Sequence, residues 1–164
     1  MGYVVMQTDF GGVSGAMAGV CKIVDPTLQV FHITGSIPKF NVKAAGESLK
    51  DVLPCWPEGT VFVSVVDPGV GTTRKACVAK TKNGYYVVTP DNGCLDVLDE
   101  AFGIEEIREI DQSINRYKGN KWSTQSDIFH GRDIFAYCAA RLASQTITYA
   151  EVGKEYPLEE MIRL

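Results

Sequence analysis

The run at residues 61–74, VFVSVVDPGVGTTR, constrains the fold more than any other stretch. Residues 61–66 are mostly β-branched and apolar, with Phe62 among them. That is the pattern of a strand buried on both faces, as in a parallel sheet. The run stops at Asp67, Pro68 and Gly69. Pro68 cannot donate to a ladder, and Gly69 and Gly71 admit backbone angles that other residues avoid. A buried strand therefore ends in a tight loop that opens on a carboxylate, and Arg74 follows within folding reach of Asp67. Open α/β sheets place their sites at such strand ends. Taken alone, the stretch reads more simply as a turn with a surface ion pair.

Two further stretches have the same grammar. Residues 3–7 (YVVMQ) run into Thr8, Asp9, Phe10 and two glycines, and residues 85–89 (YYVVT) into Pro90, Asp91, Asn92 and Gly93. If these strands are parallel, Asp9, Asp67 and Asp91 lie beyond one edge of one sheet. Further strands are expected at 28–33, 75–81 and 105–110, and helices from a Ser14 cap to about Asp25, at 42–53, at 94–102 and at 134–143, the last with Asp133 placed to cap it or to favour its positive end. Lys82-Asn83-Gly84 marks a hairpin; if 75–81 pairs antiparallel to the central strand, 85–89 is parallel to it again. The fold class is therefore α/β, a mostly parallel sheet with helices on both faces. No core pattern is visible after Ser144.

The chain's 164 residues suffice for one domain with a real core. A net charge of −4 argues against a phosphate-backbone binder, so no nucleic-acid partner is expected. No apolar run approaches the roughly 20 residues that span a bilayer, and no membrane partner is expected. The N-terminal residues do not read as a signal peptide. Five cysteines without paired spacing read as reduced, mostly buried thiols, which points to a cytoplasmic location.

His130 stands just before a helix start, beside Gly131, where unpaired N–H groups favour an anion. A histidine there can share a proton near neutral pH, although a lone histidine is more often structural. His32, inside a strand, is read as structural. An aromatic in the loop at 34–41, Phe40, can stack on a ligand or staple the next helix. Zinc spacing, a GxGxxG turn, a P-loop and a nucleophile elbow are all missing from the sequence. Magnesium on the three loop aspartates remains a rival reading.

TDFGG at 8–12, SVVDPGVGTTR at 64–74, TPDNG at 89–93 and SDIFHGRDIFAYCAARLA at 126–143 together resemble one family, the S-adenosylmethionine hydroxide adenosyltransferases, relatives of the fluorinase and chlorinase. The resemblance implies that residues 1–143 are an α/β S-adenosylmethionine-binding domain and 144–164 a C-terminal extension or the start of an interdomain linker, without the family's C-terminal β-rich domain. It implies a homotrimer in which the ligand sits between domains of adjacent subunits, and hydroxide attack on the ribose C5′ to give adenosine and methionine. S-adenosylmethionine is then substrate, and no cofactor is expected. The family's catalytic Asp–Arg–His set falls on Asp67, Arg74 and His130. Asp9 falls on the residue that binds the ribose hydroxyls, Phe40 on the loop aromatic, and Phe129 and Gly131 on the lining of the reacting carbon. Asp67 favours hydroxide over halide, since the halogenating relatives replace it. The chain departs from the family pattern at His32 and Gly35, at Ile128 and at Tyr137.

Three functions follow for test. One is an S-adenosylmethionine hydrolase. Another is a truncated or split, non-catalytic module that binds adenosine or S-adenosylmethionine, or assembles with a separate C-terminal-domain chain. The third is a magnesium-dependent hydrolase. Asp67→Ala is expected to lower turnover and leave the fold intact, because the aspartate sits in a loop outside the core.

Overall fold

The computed structural model describes residues 2–124 and 127–164; Ser126, which opens the SDIFHGRD stretch, lies outside them. The described strands include β1 (Tyr3–Thr8), β2 (Gln29–Thr34), β3 (Val61–Val65), β4 (Ala76–Thr81), β5 (Tyr86–Pro90) and β6 (Ile104–Glu109). They form one six-stranded sheet in the order β2-β1-β3-β5-β4-β6. β1 pairs parallel with β2 and β3, and β3 pairs parallel with β5. β4 is antiparallel to both of its neighbours. The helices are α1 (Gly15–Val24), α2 (Val42–Val52), α3 (Cys94–Phe102) and α4 (Tyr137–Ala143).

One pairing differs from the sequence reading. β4 does not touch β3; β5 takes that place and β4 lies outside it. The loop between β3 and β4 is ten residues long, enough to carry the chain across two strand spacings, about 10 Å. The hairpin turn, with Gly84 at φ +96°, then returns β5 into the gap. β5 remains parallel to β3, so Asp9, Asp67 and Asp91 all follow carboxyl ends of parallel strands.

Alternation along the strands divides the core into two layers. Val4, Met6, Val61, Val63 and Val65 pack on α1 and α4, while Val5, Phe62, Val87 and Ala79 pack on α2 and α3. α2 starts where the Asn41 side chain accepts the Ala44 N–H at 2.9 Å, a cap worth about 1 kcal/mol. α2 and α3 cross closely at Gly46, where a Cβ would stand 2.7 Å from Val97. α1 departs from expectation at its start. Ser14 makes no capping bond, and a 3-10 turn over Gly11–Ser14 leads into the helix instead.

The segment after Ser144 is packed despite its lack of periodicity. Ile147, Val152, Tyr156 and Met161 are buried. Residues 152–156 run along β6: the Glu109 N–H donates to the Lys154 carbonyl at 2.9 Å and the Tyr156 N–H to the Ile107 carbonyl at 3.1 Å. Irregular backbone that covers a sheet edge has no helical or alternating pattern to read. Four of the five cysteines are buried and all are free. Burial pushes the Cys21 and Cys138 thiols up to about 12 and Cys94 to about 11, which leaves them protonated and unreactive. Among the described residues, no helix is long and apolar enough to cross a membrane.

Candidate active site

The loop after β3 winds through two successive turns, with the Val70 N–H donating to the Asp67 carbonyl at 3.2 Å and the Thr72 N–H to the Gly69 carbonyl at 3.0 Å. Gly69 keeps the turn uncrowded: a Cβ would stand a tight 3.2 Å from both Arg74 Cγ and Thr72 Oγ1. With that space open, Arg74 folds back over the loop. Its Nε donates to Asp67 Oδ1 at 2.9 Å, and its Nη2 donates to Asp67 Oδ2. The guanidinium lies over the Phe135 ring, 5.3 Å from its centre. Both partners are buried, with 10% of the Arg74 side chain and 5% of the Asp67 side chain exposed. Asp67 therefore does not sit outside the core as expected, and removing it would strand a buried cation.

His130 completes the cluster from the other side. Arg74 Nη2 lies 2.9 Å from His130 Nδ1. The helix that carries His130 begins earlier than its sequence suggests. A π-helical stretch, Gly131–Ala136, follows His130 directly and continues into α4. Asp133 is thus not a cap but lies inside the first turn, at the helix's positive end as the alternative reading expects, fully buried and bridged to Arg132 Nε at 2.7 Å. Wide turns of this kind are frequent at functional sites because they re-aim side chains. Burial, reinforced by the charges of Arg74 and Arg116, holds the His130 imidazole below its ordinary range. Arginine has no acceptor, so Nδ1 accepts and the neutral ring carries its proton on Nε2.

The remaining sequence-predicted residues fall into two groups. Phe129 and Gly131 stand beside the cluster: Phe129 packs edge-on to Phe10 with ring centres 6.1 Å apart, and a Cβ on Gly131 would lie 3.3 Å from both Phe10 and Met17. Asp9 faces the loop before α2, where its Oδ2 accepts the Phe40 backbone N–H at 2.8 Å. Phe40 is 58% exposed, with φ +61°, so it is no staple onto α2. His32 is exposed on the edge strand β2.

Asp91 shares the sheet edge but not the cluster. Its Oδ2 accepts from the Tyr156 hydroxyl at 2.8 Å and its Oδ1 from the Ile162 N–H at 3.0 Å. The three aspartates are thus engaged separately, by the Phe40 loop, by Arg74 and by the C-terminal segment. Among the described residues no three His, Cys, Asp or Glu side chains stand close enough to hold a metal.

Sequence reasoning overlooked Phe10, Phe135 and Arg116. Phe10 was legible as part of TDFGG; Phe135 and Arg116 are recognisable only once the helix and the 111–124 loop are folded against the strand ends. A hollow of about 820 Å³ lies at the opposite edge of the sheet, lined by Tyr3, Asp25, Thr60 and Ala143, away from all of these groups.

The fold and site define an α/β domain whose buried acid–arginine–histidine cluster sits at the carboxyl edge of its parallel strands. The chain belongs to the S-adenosylmethionine hydroxide adenosyltransferase family: residues 4–153 match the family's N-terminal domain. It is 36% identical to an (R)-S-adenosyl-L-methionine hydrolase of Methanocaldococcus jannaschii, a match that covers 98% of this chain and 59% of the relative. It is 38% identical to a protein of the same name from Salinispora tropica, covering 99% of this chain and 60% of that one. The crystal structure of an uncharacterized conserved protein from Thermotoga maritima superposes with a TM-score of 0.87 at 41% identity, over 94% of this chain and 58% of that protein. The chain thus spans about three fifths of the length of the proteins it matches.

Proposed function

We propose that the chain is the α/β part of an S-adenosylmethionine hydrolase, which attacks the ribose C5′ with water-derived hydroxide and releases adenosine and methionine. The observation that carries this reading is the buried meeting of Asp67, Arg74 and His130 at the strand ends. A C5′–O bond forms as the C5′–S bond breaks, and the electron pair goes to sulfur. Methionine leaves as a neutral thioether, so its departure needs no acid. The difficulty is the nucleophile, because water is barely ionised at neutral pH. Arg74 favours hydroxide electrostatically. His130 already accepts from Arg74 at Nδ1, so its Nε2 carries the N–H, and in this reading it orients the water as a donor rather than deprotonating it. Asp67 offers about four lone-pair directions, more than Arg74 occupies, and takes the proton.

In the same reading Asp9 binds the ribose hydroxyls, and Phe40 offers its exposed ring to the adenosyl group. Phe129 lines the reacting carbon, and Gly131 adds a first-turn N–H, which has no intrahelical partner. Residues 144–164 act as a C-terminal extension of the domain, supported by the burial of Ile147, Val152, Tyr156 and Met161. A homotrimer and a cytoplasmic location belong to the proposal too. The open edge of β2, where Phe31 is 39% exposed, supports self-association, and the free thiols support a reducing compartment. Sedimentation over a concentration series tests the first: a strict monomer at high concentration overturns the trimer.

The activity is tested by mixing the protein with S-adenosylmethionine, with and without EDTA, and assaying adenosine and methionine. Equal amounts of both products, unaffected by chelation, are expected. Binding without turnover would make the chain a non-catalytic module, and loss of activity on chelation would favour the magnesium reading.

A further inference from the structure

Phe129 ends an exposed stretch. Asp127 and Ile128 before it are exposed, and Phe129 itself is only half-buried. Phe10 meets its ring edge-on, with the centres 6.1 Å apart. An edge contact with partial burial leaves the rotamer of such a ring loosely fixed. A second contact closes the choice. The Arg132 guanidinium lies over the Phe129 ring, 5.2 Å from its centre, within range of a cation–π attraction.

That guanidinium is itself held in place. Its Nε donates to Asp133 Oδ1 at 2.7 Å and its Nη2 to Asp133 Oδ2 at 3.3 Å. Nη2 also donates to the Thr124 carbonyl at 2.6 Å, which ties in the short hairpin of Gly119–Asn120 and Ser123–Thr124. Asp133 is fully buried, and 17% of the Arg132 side chain is exposed. The Asp133 main chain is anchored as well: its N–H donates to the Phe129 carbonyl at 3.0 Å, and its carbonyl accepts the Tyr117 N–H at 2.7 Å. A buried ion pair is a poor source of net stability, because desolvation offsets the attraction. A planar fork held by several N–H···O bonds does fix an orientation, and lysine, a point charge on a flexible stem, does not reproduce it. Arg132 and Asp133 together therefore hold both the ring and the backbone of Phe129.

We propose that Arg132, set by Asp133, is a positioning residue: its guanidinium fixes the Phe129 ring, and the ring seats the ribose C5′ for attack. Arg132 touches no reacting atom and exchanges no proton. This deepens the hydrolase reading and rests on it for the seating of the carbon, whereas the hold of Arg132 on the ring stands apart from it.

The test uses the full chain with Arg132→Gln, Arg132→Lys and Phe129→Ala. Crystal structures should show the Phe129 ring in one position under the guanidinium in the parent, and turned or in several positions in both Arg132 variants, with Asp67, Arg74 and His130 unmoved. A ring that stays in place in both variants overturns the hold. In turnover, Arg132→Gln should lose about 10–100-fold in kcat, the upper figure being the scale for a misplacement of about 1 Å, with KM changed less than about threefold. Arg132→Lys, which keeps a cation beside Asp133, should fall between that variant and the parent. A parent-level kcat in Arg132→Gln overturns the positioning role. In the Phe129→Ala background, Arg132→Gln should cost less than about twofold, since no ring is left to position. A full loss in that background means that Arg132 acts by another route, and overturns the proposal too. The rates are compared at a temperature where circular dichroism shows every variant folded, so lost stability alone does not move them. Should Arg132→Gln fail to fold beside the buried Asp133, Arg132→Gln/Asp133→Asn removes both charges and goes through the same measurements. If the parent itself produces no adenosine, the hydrolase reading and with it the seating of the carbon fail, and the crystal structures still decide the hold on the ring.

Discussion

Arg74 and His130 meet through one hydrogen bond, Nη2 to Nδ1 at 2.9 Å, while the same guanidinium holds Asp67. The donor chemistry of arginine makes the two ends of the cluster unequal. His130 presents an N–H, and Asp67 presents lone pairs. Asp67→Asn is therefore expected to lower turnover by at least about 100-fold, the low end for losing a positioned base. His130→Gln, which can still accept from Arg74 and donate elsewhere, should lose less. Steady-state kinetics on the two variants checks the order, and a larger loss for His130→Gln would reverse the assignment of base and donor.

Stability should respond differently from turnover. Asp67→Ala leaves the Arg74 cation buried and unpaired, a change that costs about 3–5 kcal/mol. Asp67→Asn keeps an acceptor for Arg74 and should unfold at distinctly higher urea than Asp67→Ala. Equal midpoints for the two would show that the pair carries little of the stability.

His130 also sets a pH dependence. Burial and its cationic neighbours lower its folded pKa, while the unfolded imidazole titrates near about 6.5. As pH falls below about 6.5 the unfolded chain takes up the proton first, so stability declines through the lowered folded pKa and is level above about 7. Urea midpoints between pH 7.5 and 5 should fall for the parent and fall less for His130→Asn. Parallel profiles would remove His130 as the titrating group.

The sheet and most helices were legible because their patterns are local. Residues 61–66 and 85–89 are apolar runs bounded by glycine and proline, and they appear as β3 and β5. Strand order was not local: nothing in residues 75–90 says that β5 rather than β4 reaches β3. The start at Gly131 was hidden because a π-helical stretch breaks the spacing that marks a helix. The convergence of Asp67 with Arg74 could be read from one glycine loop, and its closure by His130 followed from the family resemblance. Asp91 was legible as a residue of the sheet edge, but its partner was not, because Tyr156 lies in a segment with no period to read.

Asp91 is held by Tyr156 and the Ile162 N–H, yet burial still raises its carboxyl above the usual range. A raised folded pKa means that the protonated form suits the fold. That contribution is present below the unfolded pKa of 3.8 and is lost as pH rises through the folded value. Tyr156→Phe removes a donor to a buried carboxylate and should cost about 1.5–3 kcal/mol at pH 7. The deficit should narrow as the pH is lowered toward the folded pKa. Hydrogen exchange should quicken in residues 152–164 before the rest of the domain, and uniform exchange would rule out a local role for this bond.

Phe40 combines strain with exposure. Its φ of +61° is costly for a residue with a side chain, about 1–2 kcal/mol, and its ring is 58% exposed, so burial does not offset the strain. What holds it is the bond from its N–H to Asp9 Oδ2. Asp9 thus shapes the loop with one oxygen and leaves the other toward the proposed ribose site. Phe40→Gly relieves the strain but adds freedom to the unfolded chain, so stability should stay within about 1 kcal/mol of the parent. Adenosine binding, measured by calorimetry, should weaken about tenfold or more through loss of the stacking face. Asp9→Ala should weaken it further, since both the ribose acceptor and the loop anchor are removed. Asp9→Asn should fall between them, because its amide oxygen can still accept the Phe40 N–H. Unchanged adenosine affinity in Phe40→Gly would detach the ring from the ligand and leave Asp9 as the residue that defines that side of the site.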